Sequence, residues 1–412
     1  FCGIKGYDHL RYPEAHPHSP WSMLELKRTP ETNIFDMIRE KDLLIHLPYE
    51  SFDESVVNFL YSAANDKDVL AIKQTLYRVS SSSPVVQALE KAVQNGKQVT
   101  VLMEVKARFD EANNILMARR LEKAGAHVIY GLVGLKTHSK CTLVIRREKD
   151  GIRRYVHVAT GNYNASTAKL YTDLGILTCN DRFGIDASAF FNLLSGYSDP
   201  PIWDSFIVAP INLRQRCIEL IDREIHFAKN GEDAHMIAKM NSLLDKGIIE
   251  KLYEASQAGV KIELIVRGIC VLIPGIPGVS DNITVRSIVG RFLEHSRIFW
   301  FRNGGREELY ISSADWMPRN LNDRVELMVP IEDPEIKRRL KQMVDIELSD
   351  NQKAHIMQAD GTWLKTISAE NQLCAQEYFQ KIAEKRDAED EMTLAQKLEP
   401  YTPVLGHGDG SD

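Results

Sequence analysis

The sequence predicts an α/β fold made of two tandem copies of one domain, each a mixed sheet flanked by helices. Two observations support this fold class. Segments with strand-like and helix-like patterns alternate in short units along the chain, which is typical of α/β proteins. The same order of segments and polar motifs then recurs in the second half, and such recurrence indicates a duplicated domain.

Helix start and stop signals define the first copy, which follows a connecting segment over residues 1–31. Ser51 and Glu54 form a capping box, in which each side chain can bind a free backbone amide at the start of a helix. A second helix is predicted from Ser83-Pro84 to Gly96. Proline favours the first helical turn and glycine favours the residue after the last turn.

Apolar and β-rich segments supply the predicted strands of both copies. In the first copy they span residues 69–77 and 99–105, and in the second copy residues 236–240 and 262–266. A predicted helix joins the two strands of each pair. Each copy therefore contains a strand–helix–strand unit, as an α/β fold requires.

Polar motifs recur in the same order in the two copies. The first copy has His138, Lys140, Asn162, Tyr171 and Asp173. The second copy has His295, Arg297, Asp315, Arg324 and Glu326. In each copy the last two residues stand nine and eleven positions after the third, and this shared spacing favours duplication.

Four regions follow from these patterns. After the connecting segment we predict a first domain over residues 32–199 and a second over residues 200–370, with the boundary near Asp199-Pro200-Pro201. Residues 371–412 are predicted to form a charged, solvated helix and a disordered end, because they offer little apolar surface to bury. The chain begins with Phe1 rather than Met, so we expect an upstream portion.

Composition excludes several classes of protein. The 51 basic and 57 acidic residues give a net charge of -6, which argues against a general nucleic-acid binder. The six cysteines form no C-x-x-C pair, so neither a zinc site nor a disulfide framework is expected, and a reducing cytoplasm fits best. No apolar run approaches the ~20 residues that span a bilayer.

His138 is the strongest candidate for a reacting group. A lone histidine is more often structural, but here Lys140 lies two residues on, and in a strand both would point to the same face. Asn162 follows a second β-rich segment. This set suits a phosphate, because the imidazole can attack phosphorus while the lysine and the amide hold the oxygens.

Three arginines lie where a phosphate ligand would bind. Arg78, Arg108 and Arg267 stand at or just past the carboxyl ends of predicted strands, where the ligands of α/β sheets gather. A guanidinium group binds phosphate oxygens bidentately. The arginines therefore favour a triphosphate or a polyphosphate chain.

The paired His-x-Lys and Gly-Asn motifs resemble the phospholipase D superfamily, in which two domains place their histidines on opposite sides of one phosphate. Over residues 32–350 the chain further resembles polyphosphate kinases of the first type. Segments that carry this resemblance are Ala107-Arg108-Phe109-Asp110-Glu111, Gly134 to Lys140, Thr160 to Asn164, Leu170 to Asp173, Leu264 to Gly268 and Ser312 to Met317.

The resemblance implies two catalytic phospholipase D-like domains and a role for each candidate. His138 would become a phosphohistidine, and His295 would assist by proton transfer or hydrogen bonding. Tyr171, Arg267 and His295 match ATP-contacting positions, and Arg78 and Arg108 match positions associated with magnesium. A cation is a poor ligand for Mg²⁺, so we expect these arginines to bind phosphates that hold the metal. Substrate-binding candidates of the second rank are Lys140, Asn162, Asp173, Asp315, Arg324 and Glu326.

The implied activity is reversible transfer of the ATP γ-phosphate to inorganic polyphosphate, with Mg²⁺ as cofactor. ATP, ADP and polyphosphate would be the partners, and no nucleic acid. The resemblance also suggests a cytoplasmic homo-oligomer and peripheral association with a membrane. Two alternatives remain: a phosphodiesterase of the phospholipase D type, and an inactive fragment that only binds polyphosphate.

Overall fold

The computed structural model describes residues 6, 8–24, 26, 32–80, 82–105, 110–196 and 202–397. The predicted domain boundary, Arg108 and the predicted disordered end lie outside the described residues. The described chain forms two mixed sheets flanked by helices, which confirms the predicted fold class.

The first half of the chain builds one sheet and adds one short strand, β5, to the other sheet. Its strands are β1 (Leu43–Leu47), β2 (Val69–Leu76), β3 (Gln98–Met103), β4 (His127–Tyr130), β5 (Lys136–Thr137), β6 (Cys141–Glu148), β7 (Gly151–Ala159) and β8 (Tyr171–Thr178). Their order across the sheet is β1-β8-β7-β6-β2-β3-β4. The β2, β3 and β4 strands are parallel and the other neighbours are antiparallel.

The second half repeats this order. Its strands are β9 (Ile207–Ala209), β10 (His235–Met240), β11 (Lys261–Val266), β12 (Ile283–Ile288), β13 (Leu293–Glu294), β14 (Ile298–Phe301), β15 (Glu308–Ser312), β16 (Arg324–Pro330), β17 (Ala354–Met357) and β18 (Trp363–Lys365). Strand β9 pairs with β16, and the order continues β15-β14-β10-β11-β12. The duplication read from the motifs is therefore visible in the topology.

Two short strands cross between the halves. Strand β5 of the first half pairs in parallel with β16 of the second sheet. Strand β13 of the second half pairs in parallel with β8 of the first sheet. Each short strand comes directly before one of the two candidate histidines, so this exchange positions both of them.

Helices cover the sheets and connect their strands. They are α1 (Ile34–Glu40), α2 (Asn58–Asn65), α3 (Pro84–Gln94), α4 (Glu111–Ala124), α5 (Asp181–Leu194), α6 (Leu213–Lys229), α7 (Lys246–Gln257), α8 (Pro318–Asn322), α9 (Pro334–Leu348) and α10 (Ala375–Lys397). Short 3-10 turns span Asp8–Leu10, Trp21–Met23, Thr167–Lys169 and Asn303–Gly305, and a π-helical turn spans Asp53–Val57. The Ser51 and Ser83 hydroxyls accept hydrogen bonds from backbone amides of the following turns at 3.1 and 3.4 Å, as predicted. The Ser51 amide donates to the His18 carbonyl at 2.7 Å, and the reciprocal Glu54 contact of the capping box stays a prediction.

Three apolar clusters form the core. One lies between the first sheet and α1 to α4, and another lies between the second sheet and helices α6 and α7. The middle cluster joins the inner faces of both sheets with α5, α9 and the start of α10. Because one cluster contains side chains of both halves, their relative position is fixed by packing.

Residues 354–365 form two strands that the sequence analysis does not predict. Strands β17 and β18 form a hairpin that extends the second sheet beyond β12. These strands have four and three residues, and so short a pattern gives little local signal without its neighbour. The tail helix also differs, because Ala375 and Phe379 are buried rather than solvated. Their i, i+4 spacing puts both on one face of α10.

Replacement of Phe379 tests whether α10 is docked. Its ring lies 5.1 Å from that of His46 and 5.5 Å from that of Tyr49, measured between ring centroids. Phe379→Ala should lower the free energy of unfolding by about 3–5 kcal/mol in urea denaturation, as expected for a buried phenylalanine. The matched control is Tyr378→Ala, since Tyr378 is 39% exposed and should matter much less. Equal effects would show that α10 does not pack as described.

Candidate functional site

Each candidate histidine lies in a loop that is held by the other half of the chain. The segment from His138 to Lys140 connects β5 with β6 and is not part of a strand, contrary to the sequence prediction. The reason is that the His138 and Ser139 amides both donate to the Val325 carbonyl of the second half, at 2.9 Å each. In the second loop, the His295 amide donates to Thr172 Oγ1 of the first half at 3.2 Å.

The first histidine binds a carboxylate of the second half. His138 Nδ1 lies 2.9 Å from Glu326 Oε2, and both side chains are buried. Two further donors fix this carboxylate, since Ser313 Oγ binds Oε2 and Asn320 Nδ2 binds Oε1 at 2.8 Å. The Arg324 guanidinium lies 3.7 Å from Oε1. The Glu326 position is therefore set before any ligand binds.

The second histidine binds a carboxylate of the first half in the reciprocal way. His295 Nδ1 lies 2.8 Å from Oδ1 and 2.9 Å from Oδ2 of Asp173. The Thr160 hydroxyl donates to Asp173 Oδ1 at 2.6 Å. Asp173 and Glu326, which stand eleven positions after Asn162 and Asp315, thus each bind the histidine of the opposite half.

The cation two residues after each histidine also takes the same position in both halves. Lys140 Nζ donates to the His138 carbonyl, and Arg297 Nη1 donates to the His295 carbonyl at 2.6 Å. Lys140 is 2% exposed and Arg297 3%. Both side chains therefore hold the histidine loops as well as placing positive charge at the site.

Burial keeps both imidazoles neutral at physiological pH. It lowers the pKa of His138 to about 3 and also lowers that of His295, and in both cases the carboxylate partner offsets only part of the effect. Burial acts to raise the pKa of Glu326, but interactions with His138, Lys140 and Arg324 outweigh it and hold that pKa at about 2. An ionised carboxylate only accepts hydrogen bonds, so His138 Nδ1 carries the proton and Nε2 keeps its lone pair.

Lys140 is an unusual lysine because burial lowers its pKa to about 7. This value of about 7 already includes the charges of Arg297 and Arg324, which also lower the pKa, and the charge of Glu326, which raises it. The Lys140 charge in turn lowers the pKa of both histidines, after the larger effect of burial. The two histidines and these cations therefore share one electrostatic environment.

An aromatic ring lies beside each histidine. The Tyr77 ring meets that of His138 edge-on at 4.8 Å, and the Tyr171 ring lies 5.1 Å from that of His295. The Arg78 guanidinium carbon lies 5.6 Å from the Tyr77 ring centroid, and Arg78 Nε lies 3.1 Å from Asp110 Oδ2. Sequence reasoning gave Tyr77 no role, although its place at the end of β2 was a usable signal.

Arg267 and Asp315 belong to a second network, which is centred on Asn241. Arg267 Nε donates to Asn241 Oδ1 at 2.9 Å, and the backbone N–H of Asn241 donates to Asp315 Oδ1 at 2.8 Å. The same carboxylate binds Arg297 Nε at 3.1 Å. Asp315 thus holds protein side chains in place, while sequence reasoning missed Asn241, the first residue after β10.

A buried ion pair lies behind the second histidine loop. Lys239 Nζ binds Glu294 Oε2 at 2.6 Å and also Glu347 Oε1. Thr172 Oγ1 donates to Glu294 Oε2 at 2.9 Å, and Gln376 Nε2 of α10 donates to Oε1 at 2.6 Å. Since Glu294 precedes His295, this network connects α9 and α10 with the loop. Sequence reasoning did not identify it.

Two of the predicted site residues each have a buried polar atom without a hydrogen-bond partner. Among the described residues, Asn162 Oδ1 and Arg324 Nε are buried without a hydrogen-bond partner. Buried polar atoms are normally satisfied, so each is a candidate for ligand contact. Contacts place Lys140, Glu326 and, through Glu326, Arg324 around His138, and Tyr77 links Arg78 to the same histidine. Tyr171 and Asp173 contact His295, and Asp315 and Arg267 are linked to its loop through Arg297 and Asn241. Asn162 lines a small cavity together with Asp173. Arg108 stays a prediction.

The described residues contain no group of three or more His, Cys, Asp or Glu side chains that could hold a metal ion. The charged groups around His138 are mainly cations, which are poor ligands for Mg²⁺. The described part of the site thus fits a metal that arrives bound to phosphate oxygens better than a metal held by the protein. Within the same residues, no helix is long and apolar enough to cross a bilayer.

The repeated sheets and the crossed histidine–carboxylate pairs define a protein of two tandem mixed α/β domains that complete each other's histidine sites. The fold is similar to that of phosphatidylserine synthase from Haemophilus influenzae Rd KW20, with a TM-score of 0.50. That match covers 85% of this chain and 94% of the other, at 12% identity. At so low an identity the similarity concerns the fold alone.

More specific similarity places the chain within this class. Family models for polyphosphate kinase C-terminal domains 1 and 2 match residues 33–200 and 206–376. Polyphosphate kinase from Porphyromonas gingivalis superposes with a TM-score of 0.83 at 38% identity, covering 92% of this chain and 57% of that one. Polyphosphate kinase from Halalkalibacterium halodurans is 57% identical over 351 residues, which are 85% of this chain and 49% of that protein.

The chain belongs to the polyphosphate kinase family and contains its two carboxyl-terminal domains. It spans about half the length of the curated relatives that it matches. The predicted resemblance to this family is confirmed.

The neutral state of His138 predicts how stability depends on pH. The folded pKa of about 3 lies below the unfolded value of about 6.5, so only the unfolded chain takes up this proton as pH falls between the two values. Stability should therefore decrease as pH falls from 6.5 to 4.5, with His138 contributing about 1.4 kcal/mol per pH unit. Urea unfolding should show a shallower pH dependence for His138→Gln by about this amount. An unchanged slope would mean that His138 is protonated in the folded protein.

Proposed function

We propose that this chain is the catalytic part of an ATP:polyphosphate phosphotransferase that works through a phosphohistidine at His138. The observation that carries the proposal is the pair of crossed contacts, His138 with Glu326 and His295 with Asp173. Such a site has two imidazoles with fixed tautomers and several cations, which is what transfer of a phosphoryl group requires. The family to which the chain belongs supports the choice of ATP and polyphosphate as substrates.

In the first step the Nε2 lone pair of His138 attacks the γ-phosphorus of ATP. A phosphorus–nitrogen bond forms, the bond from the γ-phosphorus to the bridging oxygen breaks, and ADP leaves with that electron pair. The Nδ1 proton stays in place, because ionised Glu326 accepts its hydrogen bond and stabilises the positive charge that develops on the ring. Glu326 is thus a positioning residue for the nucleophile.

In the second step the terminal phosphate of a polyphosphate chain attacks the phosphohistidine. A phosphorus–oxygen bond forms, the phosphorus–nitrogen bond breaks, and neutral His138 is restored. The high transfer potential of phosphohistidine makes the sequence reversible, so ADP can take the same phosphoryl group. His295 lies on the opposite half with its Nδ1 proton held by Asp173, so its Nε2 can accept a proton and can donate to the transferred phosphate only in the imidazolium form.

The surrounding side chains supply charge and contacts. Lys140, Arg267 and Arg324 balance the charge of the phosphate oxygens in a region shielded from water, where such interactions are strong. Arg78 binds phosphates from the side of Tyr77, and Tyr171 contacts the nucleotide next to His295. Asn162 has an unpaired amide oxygen, which can accept a hydrogen bond from a donor group of the ligand. Asp173 and Asp315 act through the groups that they hold.

We further propose that the reaction uses Mg²⁺, which would arrive with the nucleotide and would supply Lewis-acid stabilisation of the phosphate charge. Arg78 and Arg108 would contact phosphate oxygens of the same nucleotide. Cytoplasmic location, a homo-oligomeric assembly and peripheral membrane association stay predictions. The described cysteines, at positions 141, 179, 217, 270 and 374, are free thiols, which suits a reducing compartment.

Labelling with γ-³²P ATP and Mg²⁺ tests the nucleophile. The unaltered chain should acquire an acid-labile, base-stable phosphate, and His138→Ala should abolish it, while His295→Ala should reduce it by about 10²-fold or more. The control is His157→Gln, which replaces another buried histidine and should label normally. Normal labelling of His138→Ala would overturn the assignment.

The same assay separates the alternatives. Hydrolysis of a phosphodiester without nucleotide, in the absence of labelling, would favour a phospholipase D-type phosphodiesterase. Binding of polyphosphate without any labelling of the unaltered chain would favour an inactive binding fragment. Either result would contradict the proposed kinase activity of this chain.

Replacement of each carboxylate by the corresponding amide tests the crossed histidine–carboxylate pairs. Glu326→Gln should slow labelling by about 10²–10⁴-fold with little change in the KM for ATP, because an amide can bind either tautomer of His138. Asp173→Asn should act in the same direction through His295. The matched control is Glu263→Gln, since Glu263 binds His235 at 2.8 Å in a pair that the proposal does not use. A loss carried entirely by KM would show that Glu326 serves binding rather than the orientation of His138.

A further inference from the structure

The strand before His295 is held by α10, the last helix of the described chain. Strand β13 leads directly into the loop of this histidine, and α10 follows the β17–β18 hairpin. Within the described residues, no helix lies between α5 and β9, where the first half would carry a counterpart of α10. Contacts of α10 therefore distinguish the second histidine loop from the first.

Gln376, the second residue of α10, binds the chain before His295 through both ends of its side-chain amide. Its Oε1 accepts a hydrogen bond from the backbone N–H of Phe292 at 2.9 Å, and its Nε2 donates to the Phe292 carbonyl at 2.9 Å. Nε2 also donates to Glu294 Oε1 at 2.6 Å. By binding both backbone groups of one residue, the buried amide takes the place of a neighbouring antiparallel strand.

The close approach of Gln376 requires a glycine before β13. A Cβ added to Gly290 would lie 2.4 Å from Gln376 Oε1 and 2.8 Å from its Cδ, which is far inside van der Waals contact. Gly290 is not among the glycines with positive φ, so its backbone accepts an alanine. Alanine at this position would therefore displace the Gln376 amide without straining the chain.

Glu294 connects the helix with the His295 backbone. Its Oε2 accepts the Thr172 hydroxyl at 2.9 Å and Lys239 Nζ at 2.6 Å. A threonine hydroxyl has one proton, so while it donates to Glu294 its oxygen acts as the acceptor for the His295 amide, at 3.2 Å. Thr172 also precedes Asp173, which binds the imidazole ring. The backbone and the ring of His295 thus share one support.

Lys239 holds the same carboxylate from β10. Burial acts to lower the pKa of Lys239, but Glu294 and Glu347 outweigh it and raise that pKa above its ordinary value, so the lysine is charged. Removal of one partner from a buried ion pair leaves the other charge uncompensated and strongly destabilises a protein. Gln376 and Gly290 are therefore the better positions for a test, because their replacement keeps the ion pair.

The His138 loop is held in a different way. Among the described residues, no hydrogen bond of residues 137–140 involves α10. Those that the segment forms with other residues lead to Glu104, Val325, Glu326, Thr75 and Ala159. The first loop is therefore an internal control for any effect of α10.

We propose that Gln376 is a positioning residue for His295, and that α10 must be docked for this histidine to assist phosphoryl transfer. This role rests on the proposed function, in which His295 acts on the phosphate that His138 receives. Gln376 acts through Phe292 and Glu294, which set the course of the chain into the loop. Such an indirect effect is substantial, because misplacement of a reacting group by about 1 Å costs about 10²-fold in rate.

Labelling with γ-³²P ATP in two backgrounds tests the proposal. Gln376→Met keeps the length of the side chain but removes its hydrogen bonds, and Gly290→Ala displaces the amide while leaving α10 unaltered. Each should slow the labelling of His138 by about tenfold or more in the otherwise unaltered chain. Each should add little in a His295→Ala chain, because changes that act through the same residue are not additive.

The matched control is Gln380→Met, since Gln380 stands one turn further along α10 and binds His16 and Glu384 instead of the loop. It should label as the unaltered chain does. Equal slowing by Gln376→Met in both backgrounds would indicate a general loss of stability and would overturn the proposal. Normal labelling of both Gln376→Met and Gly290→Ala would overturn it as well.

Amide hydrogen exchange separates this proposal from the proposed function. In Gln376→Met, exchange over residues 292–296 should become about tenfold faster, while exchange over residues 137–141 should not change, because only the second loop loses a support. Unchanged exchange over residues 292–296 would overturn the proposal even if labelling were slower. If the unaltered chain is not labelled, the proposed kinase activity fails, and the exchange comparison alone decides whether Gln376 holds the His295 loop.

Discussion

The exchange of two short strands between the sheets is the constraint on which the site depends. Strand β5 pairs with β16, which carries Glu326, and strand β13 pairs with β8, which carries Asp173. Each pairing brings a histidine loop of one half to a carboxylate strand of the other. Neither half could complete a histidine–carboxylate pair alone, so catalysis as proposed here requires both halves packed around their common apolar cluster.

The two halves share a backbone plan but differ in the side chains at matching positions. The first residue after β2 is Tyr77, whose ring packs against His138, whereas the first residue after β10 is Asn241, which binds Arg267 and Asp315. Behind His295 lies the Lys239–Glu294 ion pair, whereas the Thr75 hydroxyl binds the Ser139 carbonyl behind His138. Duplication thus supplied the symmetric scaffold, and substitution gave the two histidines different surroundings.

Sequence patterns predicted the fold class because duplication and alternating strands and helices are local and repeated signals. The candidate residues also came from such signals, and the structure places Lys140 and Glu326 against His138 and Tyr171 and Asp173 against His295. Other features gave no local signal. The β17 and β18 strands are too short to recognise alone. Ala375 and Phe379 stand in a segment that was predicted to be a charged, solvated helix, so their burial was not predicted. Asn241 and Glu294 matter only because distant residues contact them, as Gln376 contacts Glu294 across the fold.

The sequence by itself determined which chemical groups are present and that they occur twice, through His138 and His295 at matching positions and a carboxylate eleven residues after Asn162 and after Asp315. Only the tertiary structure decided how these groups pair. The spacing places Asp173 in the same half as His138, yet Asp173 binds His295 and Glu326 binds His138. The physical reason is that hydrogen bonding between the halves, through β5 with β16 and β13 with β8, brings together residues that are far apart in the chain.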